Sequence, residues 1–176
     1  FLIKGLALLH KLKKQFFAEK IDAIFETINA LLFEMGDAEA IEATLKRNIN
    51  VSARKYLQVL RKKASNFEMY MRIGAIVGDG KESEIDSLGH YGRTLGILTG
   101  IREDFIDIFE PDELQNRMKN ELLPLPILRA FKTPQTKKVI LDYLSKPKIT
   151  NTDTEKIVEI ISEDENVRKL KNEIQD

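Results

Sequence analysis

The sequence predicts an all-α protein. Apolar residues recur in gaps of three and four along most of the chain, no alternating strand pattern of useful length occurs, and Gly, Pro, Ser and Thr fall between the periodic segments as caps and turns. With 176 residues, no low-complexity tract, no internal repeat and no linker, the chain reads as a single all-α domain over 1–176. Hydrophobic content of 43% supports a packed core.

The elements follow in order. Leu2, Leu6, Leu9, Leu12 and Phe16 mark a first helix. Ile21, Ile24, Phe25, Ile28, Leu31, Leu32 and Met35 mark a second, with Gly36 as a point of interruption and Asn48-Ile49-Asn50 as its end. Ser52 is an N-cap for one long helix through Tyr56, Leu57, Val59 and Leu60 to Ile76 and Val77, closed by the turn Gly78-Asp79-Gly80. Ser83 caps the next helix, with Asp86 three residues on as a capping-box partner, and that helix runs to about Phe109. Glu110-Pro111-Asp112 is a break. A helix spans about Leu122 to Phe131, with Pro124 and Pro126 near its start. Thr133 and Pro134 begin another, ending near Tyr143-Leu144. Lys146-Pro147-Lys148 is a loop, and Thr150 to Thr154 opens a final pair of short helices.

Charge and composition exclude several functions. Lys plus Arg and Asp plus Glu both total 28, so the basic excess of a nucleic-acid binder is missing and no nucleic-acid partner is expected. The absence of cysteine removes disulfides, thiolate metal sites and a cysteine nucleophile. No apolar run has the length of a membrane span, and Phe1-Leu2-Ile3-Lys4-Gly5 lacks the form of a secretory signal, so a cytoplasmic location is expected. The first residue is not Met, which fits either a processed start or a piece of something longer. His10 and His90 lack metal-ligand spacing and read as structural or surface residues.

The helix after Ser83 carries Gly89, Gly92, Gly96 and Gly100, spaced three, four and four, on one face. Glycine inside a helix costs about 1 kcal/mol relative to alanine, so four require a reason. Either a neighbouring backbone approaches closely, or a ligand lies against a glycine floor. Glu103, Asp104 and Asp107 follow at the C-terminal end, where carboxylates oppose the helix dipole unless a cation answers them. Arg102 is one answer, and Mg²⁺, which takes one or two carboxylates plus substrate phosphates, is another. Lys62 and Lys63 on the preceding helix are either surface lysines or phosphate-binding point charges.

These residues also resemble a known family. Lys62-Lys63-Ala64-Ser65-Asn66-Phe67-Glu68 with Ile73-Gly74-Ala75-Ile76, Tyr91-Gly92-Arg93-Thr94-Leu95-Gly96, Ile101-Arg102-Glu103-Asp104-Phe105-Ile106-Asp107 and Leu125-Pro126-Ile127-Leu128-Arg129-Ala130-Phe131 are similar, in that order, to motifs of the trans-polyprenyl diphosphate synthases, the family of farnesyl and geranylgeranyl diphosphate synthases. The resemblance implies the later helices of an isoprenoid-synthase-type helical barrel around a deep cavity. It implies Mg²⁺-dependent head-to-tail condensation of isopentenyl diphosphate with an allylic diphosphate. Lys62 becomes a catalytic and substrate-binding cation, Met69, Gly92, Gly96 and Gly100 become substrate-binding residues, and Glu103, Asp104 and Asp107 become metal ligands. Tyr70 joins Met69 as a candidate for setting product length. A homo- or heterodimer through helices of roughly residues 5–45 is implied as well.

The sequence also departs from the family pattern. The first aspartate-rich motif is missing and is expected on an omitted segment or a separate chain. Gly100 stands where the family has glutamine, Glu103 where it has the first aspartate, Gly36-Asp37 where it has Gly-Gln, and Asn120-Glu121-Leu122-Leu123-Pro124 where it has a Gly-Lys before the Leu-Pro block. These losses touch catalysis and diphosphate handling more than packing. They leave a second reading, a non-catalytic regulatory or prenyl-diphosphate-binding member.

Overall fold

The computed structural model describes residues 2–12, 17–46 and 48–175, and within them every regular element is a helix. In chain order these are α1 (Leu2–Leu12), α2 (Ala18–Leu45), α3 (Ala53–Lys63), α4 (Ser65–Val77), α5 (Glu82–Asp107), α6 (Pro111–Asn120), α7 (Leu125–Ala130), α8 (Pro134–Leu144), α9 (Asn151–Glu163) and α10 (Glu165–Gln175). The all-α prediction holds. Phe16, expected in the first helix, lies outside the described residues.

The residues gather into two compact units. One comprises Phe1–Asp37 and Arg61–Gly96, the other Ala38–Leu60 and Ile97–Asp176. In the first, Ile21 and Ile24 of α2 and Ala75 and Ile76 of α4 are buried, together with the polar side chains of Ser65 and Glu68. The second has the larger apolar core, drawn from Tyr56 and Leu60 of α3, Ile101 and Ile108 around the end of α5, Leu114 of α6, and residues of α7 to α10. Burying such side chains contributes about 1.5–3 kcal/mol each. That explains α7. A six-residue helix has no stability of its own, but Leu125, Ile127 and Ala130 are wholly buried, and α7 packs on α9 and α10.

Several boundaries differ from the sequence expectation, each for a local reason. The long helix expected from Ser52 to Val77 breaks at Ala64. There the Asn66 side chain accepts the Phe67 N–H at 2.8 Å, and Ser65 Oγ donates to the Leu31 carbonyl at 3.0 Å. Such side-chain bonds compete with the helical ladder. Gly36 does not interrupt α2, which continues to Leu45. Ser83 is not the cap of α5. The helix begins at Glu82, the Glu84 carboxylate accepts the Lys81 N–H at 2.7 Å, and Asp86 pairs with Arg72 instead. In the turn before it, Asp79 adopts the left-handed conformation at φ 59°, while neither flanking glycine does; aspartate tolerates this region.

Helix α6 was not expected. Its sequence is polar, and Leu114 is its one residue in the buried class. Its signals are chemical rather than periodic: Pro111 at the start, Asp112 and Glu113 in the first turn, and Arg117 and Lys119 in the last, which complement the helix dipole. Helix α7 is shorter than expected, because Pro124 is its cap and disfavours helical backbone at Leu123. The expected start of α8 at Thr133-Pro134 is found, and α9 opens with a complete capping box between Thr150 and Asp153.

Candidate functional site

The glycine face of α5 is answered by helix packing. In the first unit, a methyl group at Gly92 would stand 2.6 Å from the Phe67 carbonyl oxygen, and one at Gly96 would stand 2.8 Å from the Ala64 methyl. At Gly89 it would meet the Arg72 side chain at 2.5 Å. In the second unit, Gly100 faces Leu60 of α3, whose Cδ1 would lie 2.4 Å from an added methyl. Close approach of a neighbouring helix, one of the two reasons open from the sequence, is present at all four positions.

An ion network holds the first unit. Arg93 of α5 donates to Glu68 at 2.6 Å, to both oxygens of Glu34 at 2.9 and 2.8 Å, and to the Arg61 carbonyl at 2.7 Å. One arginine thus ties α5 to α4, α2 and α3. Arg72 donates to the other oxygen of Glu68 at 2.7 Å. Burial raises the Glu68 carboxyl, and the two arginines outweigh it, holding the group below its ordinary range. Beside this network Lys62 donates to Asp37 at 2.8 Å. That contact pulls the Asp37 carboxyl down and the Lys62 amine up. Met69 is half-buried on α4, and Tyr70 is exposed.

The three carboxylates of α5 part company. Asp104 is 2% exposed. It accepts from Tyr56 Oη at 2.6 Å, from the Leu125 N–H at 3.0 Å, and from Arg117 Nη2. Burial pushes its carboxyl above the ordinary value, against the pull of Arg117, Tyr56 and the Leu125 amide. Asp104 therefore joins α3, α5, α6 and the start of α7. Glu103 points to solvent and pairs with Arg102 at 2.8 Å. Asp107 lies between, with Arg117 Nε at 3.7 Å. Burial raises the Asp107 carboxyl, Arg117 opposes this, and Glu113, Asp104 and Glu103 add to the rise. Among the described residues, no three His, Cys, Asp or Glu side chains form a group able to hold a metal ion. Of the three expected metal ligands, Asp104 has both oxygens engaged by Tyr56, Arg117 and the Leu125 amide. Glu103 and Asp107, four apart on one helix face, remain a two-carboxylate pair of the kind Mg²⁺ takes with phosphate oxygens. A cation would also relieve the acidic surroundings of Asp107.

The second unit contains an apolar cavity of about 770 Å³, lined by Leu98, Ile101, Phe105 and Phe109 of the α5 region and by Val158 and Ile161 of α9. Helical spacing puts Leu98, Ile101 and Phe105 on the side of α5 opposite Gly100, Glu103 and Asp107. Neither Glu103 nor Asp107 lines this cavity, but Arg102, the partner of Glu103, does.

The sequence reading missed Tyr56 and Arg117 as partners of the acidic motif. Tyr56 reads as one more apolar residue, and Arg117 sits on a helix without apolar periodicity. It also missed Arg93 as the centre of the ion network, although Arg93 lies inside a quoted motif.

The fold is similar to a geranylgeranyl pyrophosphate synthetase from Pyrococcus horikoshii, with a TM-score of 0.74 at 18% identity, over 90% of this chain and 50% of that one. It is also similar to a decaprenyl diphosphate synthase from Rhodobacter capsulatus, with a TM-score of 0.67 at 19% identity, over 86% of this chain and 49% of that one. In sequence the chain is 26% identical over 145 residues to a geranylgeranyl diphosphate synthase of Methanosarcina mazei, covering 79% of this chain and 44% of that protein. The polyprenyl synthetase family model matches residues 2–161. The chain belongs to the polyprenyl synthetase family. It spans about half the length of the relatives it matches.

Proposed function

We propose that this chain supplies the later helices of an isoprenyl diphosphate synthase, which joins isopentenyl diphosphate head to tail to an allylic diphosphate in a Mg²⁺-dependent reaction. The family match over residues 2–161 carries this reading. The first aspartate-rich motif would come from a further segment or a partner chain.

The roles of the residues follow from their chemistry. Glu103 and Asp107 would hold Mg²⁺. The bound ion would neutralise charge on the diphosphate as it leaves. Lys62 presents an ammonium to a phosphate oxygen as a compact point charge. Asp104 holds the end of α5 that carries the other two carboxylates, through Tyr56, Arg117 and the Leu125 amide. Arg93 secures α3 at the Arg61 carbonyl, next to Lys62. Gly92, Gly96 and Gly100 let α5 lie close to its neighbours, and Met69 is the residue we assign to contact with the substrate hydrocarbon. Among the described residues no helix is long and apolar enough to cross a membrane. A cytoplasmic enzyme acting as a dimer through α2 is part of this proposal.

The test is incorporation of radiolabelled isopentenyl diphosphate into product by the complete protein, with dimethylallyl or geranyl diphosphate and with or without Mg²⁺. Mg²⁺-dependent product is expected. Its absence with every allylic partner overturns the proposal.

A further inference from the structure

The Lys62–Asp37 contact stands apart from the ion network beside it. Glu34, the other carboxylate that acts on Lys62, is already clamped through both oxygens by Arg93. Arg93 is in turn engaged by Glu34, Glu68 and the Arg61 carbonyl through all three of its nitrogens. Asp37 makes the remaining charge contact to Lys62, at 2.8 Å, with side chains 64% and 33% exposed respectively. A pair this open to water is held weakly and exchanges readily, more so than the half-buried pairs around Arg93. Its geometry is nonetheless that of a carboxylate oxygen where a phosphate oxygen would sit, on an ammonium that can donate in three directions.

We propose that Asp37 is a built-in competitor for Lys62: its carboxylate occupies the ammonium at rest, and an incoming diphosphate has to displace it. The inference rests on the reading of Lys62 as a phosphate-binding cation. Two consequences follow. Asp37 weakens the resting affinity for any phosphate-bearing ligand, by screening Lys62 and by repelling the ligand's own charge. It also favours ligands of high charge density, because a diphosphate outcompetes one carboxylate where a monophosphate does not. Asp37 therefore acts as a charge filter on what Lys62 accepts.

The experiment is calorimetric titration of the complete protein with inorganic diphosphate and, separately, inorganic phosphate. The proteins are wild type, Asp37→Asn, Asp37→Glu, Lys62→Met and the double variant Asp37→Asn/Lys62→Met. Acylation of Lys62 by an amine-reactive ester, read by peptide mass spectrometry, reports the resting contact directly. Asp37→Asn is expected to tighten diphosphate binding about three- to tenfold. It should narrow the preference for diphosphate over phosphate and speed acylation of Lys62. Asp37→Glu should stay within about twofold of wild type, and the double variant should lose the gain. If Lys62→Met weakens diphosphate binding but Asp37→Asn does not tighten it, the competitor role is overturned and the Lys62 reading stands. If Lys62→Met leaves diphosphate binding unchanged, the Lys62 reading itself fails and the inference with it. Unchanged acylation in Asp37→Asn overturns the resting contact. Asp37 is exposed on α2, so the asparagine variant keeps the fold, which its thermal midpoint checks.

Discussion

At the residue scale, the α5 motif contains two kinds of carboxylate. Asp104 is buried under three donors, and Glu103 lies in water. Replacing Arg117 by Met leaves the Asp104 charge buried without its guanidinium and is expected to cost about 3 kcal/mol of unfolding free energy. Tyr56→Phe removes one hydrogen bond to the same oxygen and should cost about 1–2 kcal/mol. Glu103→Ala should change stability by less than about 0.5 kcal/mol while abolishing Mg²⁺-dependent turnover. Urea unfolding of the three variants, beside the condensation assay for the last, separates these outcomes. Equal losses of stability in all three would contradict the division. The sequence placed the three acids in one motif, and helical geometry alone separates them: positions 103 and 107 are about 40° apart around the axis, and position 104 is about 100° from 103. What spacing could not supply is the partner. Arg117 lies on α6, where Leu114 and Met118 are too few to make an apolar stripe to follow, and its pairing with Asp104 is a tertiary fact.

At the element scale, the glycines of α5 and those of α2 and α4 differ in what a methyl group would meet. Gly92→Ala drives Cβ into the Phe67 carbonyl, which is backbone and cannot swing away, so α4 must shift. Gly74→Ala meets nothing within 4 Å in the middle of α4. It should stabilise the protein by about 0.5–1 kcal/mol, by helix propensity and reduced freedom of the unfolded chain. Thermal denaturation should therefore move in opposite directions for the two. The cap of α9 adds a pH dependence. Lys146, with the Thr150 hydroxyl and amide, holds the Asp153 carboxyl below the ordinary carboxylate range. A depressed folded value means that the stabilisation is present above the unfolded value and is lost as pH falls through the folded one. Between pH 5 and pH 2 the thermal midpoint of wild type should fall more than that of Asp153→Asn. Helices with an apolar stripe or a proline start, such as α2, α5 and α8, were legible in the sequence. The α3–α4 break was not, because it depends on where the Asn66 and Ser65 side chains bond, and Ser65 reaches Leu31, 34 residues away.

At the scale of the whole molecule, Phe33 of α2 is 82% exposed, while Ile21 and Ile24 of the same helix are buried. If the dimer of the proposed function forms through α2, Phe33 lies on the face left for it. Phe33→Glu is expected to lower the apparent mass by half in light scattering without loss of helicity; an unchanged mass would remove α2 from the interface. The all-α class and the family were readable because they rest on periodicity and motif order, which local sequence carries. Asp104's commitment to Tyr56, Arg117 and the α7 amide has one more consequence. In a cell, a substitution at Asp104 would act first on how much folded protein survives proteolysis. Lost product from such a variant would follow protein abundance, and only turnover per folded molecule would tell a damaged scaffold from a damaged catalyst.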